Sequence, residues 1–102
     1  MDRITALTEI LAQDPNNAFA RYGLALEHSN AGDFDRSVAE FTKLLTANPD
    51  YVAGYHMAAQ TLVKAGRPGE AKRMLENGIV SAQRKGDSHA KSEMQALLEE
   101  IS

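Results

Sequence analysis

The sequence predicts an all-α protein, a helical solenoid of about six antiparallel helices, and three observations predict it. The chain repeats itself at an offset of 34 residues: Asp14-Pro15-Asn16-Asn17 returns as Asn48-Pro49-Asp50-Tyr51, Ala31-Gly32-Asp33 as Ala65-Gly66-Arg67, and Leu7 as Phe41 and then Leu75. Apolar residues recur at helical spacing throughout, and nowhere alternate as a strand would. Every break is a few residues of Pro, Gly, Asn or Asp, so neighbouring helices must run antiparallel. A period in this range marks units that bury their apolar faces only by stacking.

The first helix is expected over about Asp2 to Gln13, with Ile4, Leu7 and Leu11 on one face and Ile10 beside them. Pro15 and two asparagines break the chain, and Asn16 or Asn17 caps the next helix by accepting from its free N–H groups. That helix holds Phe19, Tyr22, Leu24, Ala25, Leu26 and His28 and ends at Gly32, which supplies a left-handed turn. Asp33 is the expected cap of a third helix, Phe34 to Ala47, which carries Val38, Phe41, Leu44 and Leu45 and stops before Pro49. Asp50 is expected to cap the fourth, Tyr51 to Lys64, with Tyr55, Ala58, Ala59 and Leu62 inward. Pro68 suits the first turn of the fifth helix, which carries Ala71, Leu75 and Ile79 and runs to about Lys85. Gly86-Asp87-Ser88 makes the last turn, and the sixth helix, Ser88 to Ile101, places Ala90, Met94, Leu97, Leu98 and Ile101 on one face.

At 102 residues the chain makes one domain, residues 1–102, with a thin core. Its formal charge of −3 is uneven: residues 1–51 carry 4 basic and 8 acidic side chains, residues 52–102 carry 7 and 6. Basic pairs are limited to Lys72-Arg73 and Arg84-Lys85, so the charge argues against nucleic-acid binding. With no cysteine, disulfides and thiolate sites are excluded. No apolar run approaches the ~18 residues of a membrane span, and no apolar segment follows Met1 as a secretory signal would. A cytoplasmic setting without membrane association is expected. His28, His56 and His89 have no second ligand at metal spacing, and no serine sits in a nucleophile motif, so no cofactor, metal or enzymatic activity is expected.

These residues resemble the tetratricopeptide repeat, whose 34-residue unit is a helix–turn–helix. Leu24, Ala25, Phe41 and Pro49 match its pattern in a first unit, 18–51, and Tyr55, Ala59, Leu62, Ala71, Leu75 and Gly78 in a second, 52–85. Residues 2–15 are then a partial leading unit and 88–101 a capping helix. The resemblance implies a right-handed stack. There are departures. Arg21 and His28 stand where large aromatics are expected, Ser37 and Leu44 where small alanines are, and Gln83 replaces the second proline, which lets helix five run long. The chain also lacks the carboxylate clamp of chaperone-binding members: Tyr22, Leu26 and Met57 occupy positions of its Lys and Asn residues.

The resemblance further implies a non-enzymatic module that binds a peptide or helix of another protein on its concave face. The positions that line that face are Phe19, Tyr22, Leu26 and Asn30 in the first unit and His56, Met57, Gln60 and Lys64 in the second. Phe19, Tyr22, Leu26 and Met57 are the expected apolar anchors, and His56, Gln60 and Lys64 the polar ones. An alternative is a self-associating protein with no dedicated peptide ligand. In it two chains pair as a homodimer through terminal helices, using Ile4, Leu7, Ile10 or Leu98.

Overall fold

The computed structural model describes residues 2–102, which form six α-helices. They are α1 Arg3–Gln13, α2 Ala18–Asn30, α3 Phe34–Ala47, α4 Val52–Lys64, α5 Pro68–Lys85 and α6 Ser88–Ile101. Side chains satisfy free N–H groups at the helix starts: Asp2 accepts from Thr5 N at 2.7 Å, Asn17 from Ala20 N at 2.9 Å and Asp87 from Ala90 N at 3.0 Å. The C-terminal ends of α2 and α4 are closed by Gly32 and Gly66 at φ 79° and 74°, where a Cβ would be strained. Each of these turns carries the same wide hydrogen bond: Asp33 N donates to His28 O and Arg67 N to Leu62 O, both at 2.9 Å.

Asp50 does not cap α4. The helix starts at Val52 with Tyr51 at its cap, one residue too late for the Asp50 side chain. Its carboxylate instead accepts from Arg84 Nη2 at 2.6 Å, Arg84 Nε at 2.9 Å and Ser81 Oγ at 3.2 Å. Arg84 can reach it because α5 continues to Lys85, as the missing proline predicts. The Arg84 guanidinium holds the Asp50 carboxyl below its ordinary 3.8. A carboxyl whose pKa is lowered by folding contributes stability that is present above 3.8 and lost as pH falls through the folded value. Asp50→Asn is therefore expected to lose less stability than the native chain between neutral pH and about pH 3, as urea midpoints at the two pH values would show.

Helix α2 packs on α3, α4 on α5, and α6 on α5, with α1 on α2 and α3 on α4 as the links between pairs. Leu11, Ala20 and Leu24 form one core cluster, against which Ile4 and Leu7 pack. Ala25, Phe41, Leu44 and Ala58 form a second, and a third runs from Leu45 and Tyr55 through Leu75 to Met94. Leu44, where the pattern expects a small residue, is fully buried. The room comes from Gly54 on α4, where a Cβ would lie 3.1 Å from Leu44 and 3.0 Å from Leu45.

Two of the other departures, Ser37 and Arg21, are absorbed by polar contacts. Ser37, fully buried, donates to the Ala25 carbonyl at 2.7 Å and ties α3 to α2. Arg21 donates to Glu40 at 2.6 Å and to Pro15 O at 3.0 Å, so an ion pair between α2 and α3 replaces the aromatic. Both side chains of that pair are mostly shielded from solvent, which limits screening.

Candidate functional site

Helices α2 and α4 lie side by side and between them carry all the residues singled out in the sequence. Ser29 and Thr61 join them at 2.9 Å in a buried contact. Thr61 spends its own hydroxyl hydrogen on Met57 O at 2.9 Å, so Ser29 is the donor in that pair. Nearer the start of the helices, the Tyr22 ring lies 5.3 Å from that of Tyr51 and 6.3 Å from that of Phe41, the latter edge to face.

On α2, Phe19, Tyr22, Leu26 and Asn30 follow at helical spacing. Tyr22 and Leu26 are half-buried against the Phe41 cluster, as is Met57 from α4. Phe19 is 78% exposed, the most exposed of the large apolar residues among those described. Asn30 and Lys64 are exposed at the far ends of their helices. Burial raises the Tyr22 and Tyr51 phenols above their ordinary 10.0, with Tyr51 adding to the effect at Tyr22. Both rings therefore stay neutral near pH 7, and the patch around them is apolar.

His56 and Gln60 turn the other way, toward α6. Their side chains meet at 3.1 Å. They form one wall of a groove of about 380 Å³ whose other wall is Glu93, Ala96, Leu97 and Glu100. Leu97 is expected from the sequence on the apolar face of α6, where it does pack against the core, but Glu93, Ala96 and Glu100 were given no role in such a wall. The signal was present, since Glu93, Leu97 and Glu100 share one stripe of α6. Which helix that stripe faces depends on how α6 docks, and that is a tertiary fact.

Of the eight residues selected from the sequence, Asn30 and Lys64 are exposed and belong to neither surface, and the other six divide. Tyr22, Leu26 and Met57 come together around the Phe41 cluster, with Phe19 projecting beside them on α2. His56 and Gln60 belong to the α4–α6 groove. Ile4 and Leu7, considered as free surface for self-association, are engaged with α2, and Ile10 is left 44% exposed. Among the described residues no group of three or more His, Asp or Glu side chains is placed to hold a metal ion. Among those residues, too, no helix is long and apolar enough to cross a membrane. The chemistry on offer is apolar burial beside hydrogen-bonding groups.

Comparison with known proteins agrees with this architecture. A tetratricopeptide repeat family model matches residues 29–101. A TPR repeat-containing protein of Pseudomonas aeruginosa is 30% identical over 98 residues, covering 96% of this chain and 93% of that protein. The solution structure of a tetratricopeptide repeat domain protein from Salinibacter ruber is similar at a TM-score of 0.80 and 30% identity, over 86% of this chain and 89% of that one. The solution structure of a protein from Bordetella parapertussis is similar at 0.85 and 25% identity, over 99% and 88%.

Proposed function

This chain belongs to the tetratricopeptide repeat family, and from that premise we propose that it is a non-enzymatic adaptor binding a peptide or helix of a partner protein on its concave face. The family is one of protein–protein interaction modules. The observation that carries the finer reading is the apolar surface on α2 and α4: Phe19 largely exposed, with Tyr22, Leu26 and Met57 only half-buried beside it. Burying such surface contributes roughly 25 cal/mol per Å² before the costs of association. Tyr22 adds a hydroxyl and Met57 a flexible thioether, both suited to an interface anchor. In this reading residues 18–51 and 52–85 are the two units, and the setting is cytoplasmic.

The test is a crosslinked pull-down comparing the native chain with a Tyr22→Ala, Met57→Ala double variant of unchanged helicity. The expected result is a partner recovered with the native chain and bound tenfold or more weakly by the variant, as removal of two contact residues implies. Recovery of the chain itself alone, equally by both forms, sinks the reading. It would favour self-association through the end of the stack where Ile10 is exposed, with a native mass twice that of the chain.

A further inference from the structure

Resting on that reading, we propose that the partner segment is basic and amphipathic, and that it lays an Arg or Lys side chain along the groove between α4 and α6. The groove is built for a long side chain with an apolar stem and a cationic head. Its floor on α6 is Ala96 and Leu97, and Glu93 and Glu100 stand to either side, two turns apart, or about 10 Å along the axis. Opposite them are His56 and Gln60, a hydrogen-bonded pair that brings no fixed positive charge. Glu100 forms no ion pair among the described residues, and Glu93 meets only His89, at 3.0 Å, a charged contact only when that imidazole is protonated.

Cations elsewhere do not fill the groove. Lys91 of α6 lines a different hollow, at the α5–α6 turn, and Lys64 stands a turn beyond Gln60 outside the lining. A methylene stem of Arg or Lys packs over Leu97 while its head reaches a carboxylate, the usual division of such side chains. Helix α4 is common to both surfaces, presenting Met57 to the patch of Tyr22 and Leu26 and His56 and Gln60 to the groove. A segment crossing the face therefore meets apolar surface first and anionic surface second. Its side chains are expected to follow that order.

The test is selection of a displayed random-peptide library on the full chain, alongside a Glu93→Gln, Glu100→Gln variant and the Tyr22→Ala, Met57→Ala variant. All three are first matched in helicity and thermal midpoint. The expected peptides combine apolar residues with an excess of Arg or Lys, bind the double-Gln variant about tenfold more weakly, and lose that difference in high salt. A Glu100→Lys chain is expected to shift the selection toward Asp and Glu. If the peptides depend on Tyr22 and Met57 yet carry no basic excess, or bind the double-Gln variant equally, the groove assignment is wrong and the adaptor reading stands. If no peptide depends on Tyr22 and Met57, both are overturned.

Discussion

Phe41→Ala is expected to cost about 3–5 kcal/mol, a large share of the 5–15 kcal/mol typical of a domain this size. Phe41 is fully buried at the junction of three helices, packed with Ala25 of α2 and Ala58 of α4. The buried residues that face it from α2 and α4, Ala25 and Ala58, carry only a methyl group each and cannot reach into the space the ring leaves, so a cavity persists. Tyr22 also loses its edge-to-face partner. Urea unfolding followed by far-UV ellipticity reads the loss. A cost under about 1 kcal/mol would mean that the helices close over the gap and that this junction is not tightly packed.

Gly78→Val is expected to destabilise by about 3 kcal/mol, the upper end of ordinary overpacking. Gly78 lies inside α5, where a Cβ would come within 2.6 Å of both Met94 Sδ and Tyr55 Cβ. Met94 is flexible and can move. Tyr55 Cβ is fixed to the backbone of α4, so the two helices must separate. Tyr55 is also held by its hydroxyl, which donates to Pro49 O at 2.7 Å. Gly69→Ala on the same helix is the control, since a Cβ there meets nothing within 4 Å. It is expected to stabilise by up to about 1 kcal/mol through backbone entropy and helix propensity. Thermal unfolding of both variants checks the opposite signs. Equal shifts would show that α4 and α5 do not approach as closely at Gly78 as the structure has it.

The six helices were legible in the chain because their causes are local. Pro15, Pro49, Gly32, Gly66 and Gly86 act on their own backbone, and the apolar spacing of each helix depends only on its own 3.6-residue turn. The 34-residue period added the pairing, because repeated units can bury their faces only against each other. Tyr22 and Leu26 were paired from the sequence because residues i and i+4 share one face of a helix, but that Met57 joins them while His56 and Gln60, one period after Tyr22 and Leu26, face α6 rests on how the helices pack.

What the chain could not decide alone involved contacts between units. Leu44 reads as a misfit in its own helix, and only the approach of Gly54 from α4 makes room for it. Asp50 reads as a helix cap, and only the fold brings Arg84, a full repeat away, to claim its carboxylate. The wall of Glu93, Leu97 and Glu100 is an ordinary polar–apolar stripe until α6 docks beside α4 and turns it into a groove. Local backbone preference writes the helices and turns into the sequence. The volumes and charges that meet across helices are set by positions tens of residues apart, and the tertiary structure alone decides them.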